Sequence, residues 1–200
     1  MTENKIPELR DSWANVYAQE KDKRYTYADY CSWDDGKRWE LIEGTPYAMS
    51  APTPLHQRIS KGLFRQIDAF LSGKPCEPFY APIDVRLNAD ETDDTVVQPD
   101  IIVVCDPSII DDNSCKGSPD LIIEILSPSS AKHDRIVKFQ QYLKAGVREY
   151  WIVDPVEKAV QVCVLEGDRY YIEMFSDDGL VPAHALPGLE ISLPDVFAER

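Results

Sequence analysis

Glu124 interrupts the apolar run Leu121-Ile122-Ile123-Glu124-Ile125-Leu126. A carboxylate among strand-forming aliphatics is costly to bury, or takes up a proton, unless a cation or hydrogen-bond donors meet it. Glu124 therefore reads as a metal-binding or catalytic carboxylate; a buried pairing with Arg or Lys, or a place on an edge strand, is the structural alternative. Asp100 follows Pro99 at the head of a second apolar run, 101–104. Alone it would be a turn cap. On a strand beside that of Glu124 it brings a second carboxylate to one end of a sheet, spaced for a hard divalent ion. Asp84, on the polar side of the segment 79–87, is a candidate third ligand. Three oxygen donors with no nearby cluster of His or Cys point to Mg²⁺ or Mn²⁺ rather than zinc. Such an ion polarises a phosphate and lowers the pKa of a bound water, the chemistry of phosphodiester hydrolysis.

Lys138 is the candidate positive partner, able to orient water or offset charge on a phosphoryl group. Its spacing from Asp134 equally suits a solvated i, i+4 pair. His56, beside an apolar helical stripe, is either a half-buried structural histidine or an accessory base. Glu40, next to Leu41, is a further candidate for the same cluster. His133 and His184 lie in polar contexts without a visible partner and read as structural. The chain contains no G-x-G-x-x-G, P-loop or G-x-S-x-G pattern.

The elements that must position these side chains follow from periodicity. Residues 38–50 predict a hairpin turning at Glu43-Gly44-Thr45. Thr53 caps a helix ending at Gly73, with Leu55, Ile59, Leu63, Ile67 and Leu71 as its buried stripe. Residues 79–87 predict a strand with one polar side, and 101–104 another. Residues 120–127 read as a central strand, apolar on both faces except at Glu124. A helix from Ser129 or Ser130 to Ala145, stopped by Gly146, has Ile136, Phe139 and Leu143 as its core stripe. The strands 148–154, VQVCVLEG and YYIEMFS then form a meander. Residues 1–24 form a polar lead-in with Trp13, Val16 and Tyr17 as anchors; without a composition break after it, 25–200 reads as one domain.

With 44% hydrophobic and 28% charged residues in 200, the chain resembles an ordinary globular domain and not a disordered acidic tail. Its 21 Lys+Arg against 35 Asp+Glu leave a net charge of −14, which disfavours a general DNA-coating or anionic-membrane role. It does not disfavour a nuclease, because a bound dication reverses the local sign. The five cysteines form no C-x-x-C pair, which removes the signature of a zinc ribbon, thioredoxin-like motif or disulfide framework. Cys105 and Cys163 read as packing residues. A charged N-terminus and the lack of a long apolar run make a cytoplasmic protein the default.

Glu40-Leu41-Ile42 with Gly44, His56, Asp84-Val85-Arg86, Gln98-Pro99-Asp100-Ile101, the run Ile123 to Ser130, and Lys138, Tyr142 and Gly146-Val147 occur in this order. With Glu149-Tyr150-Trp151 and Asp154-Pro155, they resemble the family of putative restriction endonucleases abundant in cyanobacteria, over roughly residues 25–197. That family is similar to the PD-(D/E)XK nuclease superfamily, whose core is a mixed four-stranded sheet flanked by helices. The resemblance implies an α/β restriction-endonuclease-like fold, with the N-terminal hairpin and C-terminal meander as additions. It implies that Asp100 and Glu124 are the paired metal-binding acids. The position two after the second acid, where the superfamily carries lysine, is Leu126; the resemblance moves that role to Lys138, with Asp84, Glu40 and His56 lining the same pocket.

The expected function is Mg²⁺- or Mn²⁺-dependent endonucleolytic hydrolysis of DNA, without a membrane partner and with homodimerisation expected from enzymes that cut both strands. Arg58, Lys61 and Arg65, at helical spacing, are the expected DNA-facing strip. The alternative is a catalytically inactive nuclease-fold module that binds protein or nucleic acid. Paired carboxylates near Tyr47, Tyr80 and Trp151 would also suit a metal-independent glycoside hydrolase.

Overall fold

The computed structural model describes residues 23–128, 130–176 and 178–198. Trp13, Val16 and Tyr17 lie outside these residues. After a short helix α1 (Tyr27–Tyr30), the predicted hairpin forms from β1 (Trp39–Ile42) and β2 (Thr45–Ala48). Its turn requires positive φ at Glu43 (47°) and Gly44 (74°), the conformation of a two-residue hairpin loop. Helix α2 (Pro54–Leu71) is capped by Thr53, whose hydroxyl accepts from the His56 N–H, and it buries Ile59, Leu63, Ile67 and Leu71. Leu55, expected in that stripe, is half exposed, because in the first turn it borders an open hollow with Pro155 and Lys158 instead of the core.

The segment expected as one strand over 79–87 is two strands, β3 (Glu77–Tyr80) and β4 (Asp84–Arg86), in different sheets. Between them Pro82 offers no N–H to a ladder. The return path divides in the same way: β5 (Val96–Val97) and β6 (Ile101–Val104) flank Gln98-Pro99-Asp100. Strand β7 (Ser114–Lys116) then runs parallel to β4, and β8 (Leu121–Ile125) is the buried strand expected around Glu124. A wide helical turn, His133–Lys138, continues as α3 (Phe139–Ala145), which ends at Gly146 in the left-handed conformation. Strands β9 (Glu149–Asp154), β10 (Ala159–Glu166) and β11 (Arg169–Phe175) form the antiparallel meander. The chain closes with β12 (Leu180–Pro182), β13 (Glu190–Ser192) and α4 (Leu193–Phe197).

The result is a mixed α/β fold with a six-stranded sheet, β11-β10-β9-β8-β6-β3, and a five-stranded sheet, β2-β1-β5-β4-β7. Strand β8 pairs with β6 antiparallel and with β9 parallel, the latter through the α3 crossover. Alternation sends Ile101, Val103, Ile123 and Ile125 into a core beneath α2, and Ile102, Ile122 and Ile152 into a second core shared with Ile42, Val85 and Val97 of the smaller sheet. The buried stripe of α2 contributes about 1.5–3 kcal/mol per side chain.

Two further expectations change. Ile136 is exposed, and the inward face of its helix carries Asp134, Lys138 and Tyr142, because the wide turn shifts the periodicity and a buried acid needs these partners. Cys76 and Cys105 are joined as a disulfide just beyond the end of the β3–β6 ladder, Cys76 preceding Glu77 and Cys105 following Val104, so Cys105 is more than a packing residue. Spacing along the chain carries no sign of it, since strand pairing brings the two together. No helix among the described residues is long and apolar enough to cross a membrane.

Candidate active site

The sheet register brings the two principal acids together. Ile101 lies opposite Ile123 across β6 and β8, so Asp100 neighbours Glu124 at the end of that ladder. Asp100 Oδ2 accepts the Ile125 N–H at 2.8 Å. The same oxygen lies 3.1 Å from His56 Nε2, delivered by the first turn of α2. Burial works against a charged His56, but the hydrogen bond and charge of Asp100 outweigh it and raise the ring's pKa.

Glu124 points to the opposite side from α2, toward the α3 crossover. Asp134, Lys138 and Tyr142 are spaced by four residues and share the inward helical face. Lys138 Nζ lies 2.8 Å from Glu124 Oε1, and the Tyr142 hydroxyl donates to that oxygen at 2.7 Å. The lysine also lies 2.7 Å from Glu40 Oε1, on β1 of the other sheet, and 3.7 Å from Asp134 Oδ1. All four residues, Glu40, Glu124, Asp134 and Lys138, are buried, which rules out the solvated-pair reading of Asp134 and Lys138.

Burial pushes the Glu124 carboxyl well above its usual range; the Lys138 charge opposes this, while Asp134, Asp100 and Glu40 reinforce it. Burial equally disfavours the Lys138 cation, but Glu124, Glu40 and Asp134 overcome it and hold the ammonium charged. Asp134 is raised, chiefly by burial, and Tyr142 is raised by burial and by the charge of Glu124, so it stays a hydroxyl donor. The pocket carries more carboxylate than one ammonium can neutralise.

Asp84 is tied to this cluster indirectly. Its Oδ1 accepts from the Tyr30 hydroxyl at 3.0 Å and from Gln98 Nε2 at 2.8 Å. Gln98 in turn gives its backbone N–H to Glu40 Oε1 at 2.8 Å, while its side-chain oxygen accepts both the Nε and one terminal nitrogen of Arg38. Asp84 and Gln98 line a cleft of about 610 Å³ with Tyr80, Asp111 and Asp112.

His133, read as structural, lies with its Nε2 3.7 Å from Glu40 Oε2 and its ring 4.6 Å from that of Tyr47. Burial lowers its pKa. His184 also has a partner, Glu173 at 2.9 Å, on the exposed surface. Sequence reasoning thus omitted Asp134, Tyr142, Gln98 and His133 from the candidate set. The four-residue spacing of Asp134, Lys138 and Tyr142 was the available signal for the first two.

The donor set suits a hard cation: Asp100 and Glu124 are neighbouring carboxyl groups offering oxygen donors. Among the described residues, no three His, Cys, Asp or Glu side chains form a ready cage, and Lys138 bridges Glu124 to Glu40. Asp84, engaged by Tyr30 and Gln98, is not gathered against the pair.

Residues 26–194 match a family model described as "Uma2: Putative restriction endonuclease". Two uncharacterized proteins of Synechocystis sp. are similar: slr1290, 31% identical over 116 residues, and sll1609, 27% identical over 155 residues. The first match spans 57% of this chain and only 60% of the relative; the second spans 75% and 86%. The fold is shared with a crystal structure described as a putative nuclease belonging to DUF820 from Anabaena variabilis, at 23% identity and a TM-score of 0.71. That alignment covers 87% of this chain and 98% of the other.

Proposed function

The chain belongs to the Uma2 family, and we propose on that premise that it is an endonuclease hydrolysing DNA phosphodiester bonds with a divalent metal ion. The observation that carries this reading is the adjacency of Asp100 and Glu124 at the end of the β6–β8 ladder, with Lys138 on Glu124. Held by Asp100 and Glu124, Mg²⁺ or Mn²⁺ would polarise the scissile phosphate and lower the pKa of the attacking water. Asp84 reaches such a centre only by exchanging its bonds to Tyr30 and Gln98. Lys138 supplies positive charge toward the phosphoryl group, and Tyr142 and the Ile125 N–H orient the two acids. His56, whose pKa Asp100 raises, stands beside the acids as an accessory base. The same reading includes a homodimer, as expected of enzymes that cut both strands, and action on DNA in the cytoplasm.

One observation favours a second reading, a nuclease-fold module that binds its partner without cutting. Lys138 already satisfies both Glu124 and Glu40, so the acids are compensated without an ion. Calorimetric titration with Mn²⁺ separates the two, run beside an Asp100→Ala/Glu124→Ala variant whose fold is verified by circular dichroism. The nuclease reading expects wild-type binding that the variant loses, and cleavage of DNA that follows it. Failure of the wild type to bind Mn²⁺, with or without DNA, overturns it in favour of the second.

A further inference from the structure

Two aliphatic side chains expected in helical core stripes face solvent instead: Leu55 is 50% and Ile136 55% exposed. Both flank the candidate site. Leu55 and Arg58 lie on either side of His56 in the first turns of α2, and Arg135 and Ile136 directly follow Asp134. A third aliphatic, Val156, 83% exposed, stands in the β9–β10 turn. That turn is tied to the crossover by Arg135, whose guanidinium lies 2.9 Å from Asp154 Oδ2. It meets α2 and α4 at a hollow of about 340 Å³ that Arg58 and Lys158 line together with Leu55, Pro155 and residues 196–198. These elements form one rim beside His56 and Asp134.

The charge of this rim runs against that of the molecule. Arg58 and Lys158 stand here with Arg135, which is paired to Asp154, against Glu157 and Asp195, while the chain as a whole carries −14. Lys61 and Lys132 are exposed on the same two helical segments. Cations interleaved with aliphatics, with acidic surface elsewhere, are complementary to a phosphate backbone and its apolar sugar edges. A long-range repulsion from the rest of the surface would also turn such a ligand toward this side.

We propose that this rim docks the backbone of double-stranded DNA, Arg58 and Lys158 contacting phosphate at the hollow and Leu55, Ile136 and Val156 lying against the sugars. The proposal rests on the nuclease reading for its ligand and extends it to a surface. It differs from the Arg58–Lys61–Arg65 strip expected from sequence: the surface turns from α2 onto the β9–β10 turn and the crossover, and leaves Arg65 aside.

The test is fluorescence anisotropy with a labelled 20-base-pair duplex in Ca²⁺, over a series of salt concentrations. Arg58→Ala/Lys158→Ala is compared with Lys74→Ala/Arg169→Ala, which removes the same charge from the turn after the far end of α2 and from β11. The rim variant is expected to bind at least tenfold more weakly, and the slope of log affinity against log salt to shrink by about 1.8, two phosphate contacts' worth. The control is expected to stay within about twofold of wild type. Equal losses in the two variants, no wild-type binding at low salt, or tighter binding of single-stranded DNA or of RNA overturns the proposal. Cleavage in Mn²⁺ is scored separately. Cleavage by a wild type whose rim variant binds normally removes the surface and leaves the nuclease; lost binding in the rim variant of a wild type that does not cleave does the reverse. Single Arg58→Gln and Lys158→Gln variants, each expected to show about half the change in slope, serve if the double variant fails to fold.

Discussion

Glu40 and Glu124 belong to different sheets, yet they share one ammonium: Lys138 Nζ lies 2.7 Å from Oε1 of the first and 2.8 Å from Oε1 of the second. The candidate chemistry and the packing of the two sheets therefore depend on the same side chain.

Removing that side chain leaves buried carboxylates without their cation. Lys138→Met is expected to cost about 3–5 kcal/mol, the range for breaking a buried ion pair. Neutralising the orphaned acids as well, in Lys138→Met/Glu40→Gln/Glu124→Gln, is expected to restore much of the loss. Urea denaturation measures both; equal midpoints for the single and triple variants would show that the ionic cluster is not the source of the cost.

Tyr142→Phe keeps the ring in the core and removes one donated hydrogen bond to Glu124. A loss of about 1–3 kcal/mol is expected, because a buried carboxyl oxygen is left without one of its donors. Denaturant midpoints check this, and wild-type stability would show that Glu124 gains nothing from the hydroxyl.

For the proposed nuclease, Asp100→Asn and Glu124→Gln are each expected to lower cleavage by more than the roughly 10–100-fold that outer partners of a metal site cost. Tyr142→Phe is expected to fall within that lesser range. Single-turnover cleavage of a supercoiled plasmid reads the difference, and full activity of Glu124→Gln would remove that residue from the mechanism.

The two site histidines give pH dependences of opposite sign. The His56 pKa is raised in the fold, so its contribution is complete below the ordinary imidazole value of about 6.5 and is lost as pH rises through the folded value. The His133 pKa is lowered, so the native state disfavours its cation and loses stability as pH falls from about 6.5 through the folded value. Against wild type, His56→Gln is expected to lose most at pH 5.5 and least at pH 8. His133→Gln is expected to gain at pH 5.5, with no pH-dependent difference at pH 8. Thermal melts over this range read both, and parallel curves for all three proteins would contradict both assignments.

The anomalies visible in the chain mark most of what the structure brings together. A carboxylate in an aliphatic strand was legible as Glu124, and a Pro-Asp pair before a second strand as Asp100. The α2 stripe and the meander follow from plain periodicity. The split of 79–87 between two sheets was masked because apolar alternation continues across Ala81-Pro82, and only pairing partners tell the halves apart. The helix carrying Lys138 is legible, and Phe139 and Leu143 pack against the core as its periodicity predicts, but an aliphatic count also selects Ile136, whereas the buried face is completed by the partners of Glu124, Lys138 and Tyr142. Glu40 and His133 meet only in three dimensions, through a hairpin and a crossover 93 positions apart in the chain.

Two of the places where the chain changes sheets, between β3 and β4 and between β5 and β6, carry a proline, Pro82 and Pro99, and the acid cluster sits at that seam. Lys138 consequently works as a clasp whose closure depends on the spacing of the two sheets. A change with no chemistry of its own, such as Gly44→Val in the hairpin turn, would crowd Arg24 and strain a backbone at φ 74°. Its first effect would be to slacken the clasp at Glu40, so that the candidate site loses its alignment while most of the core still holds.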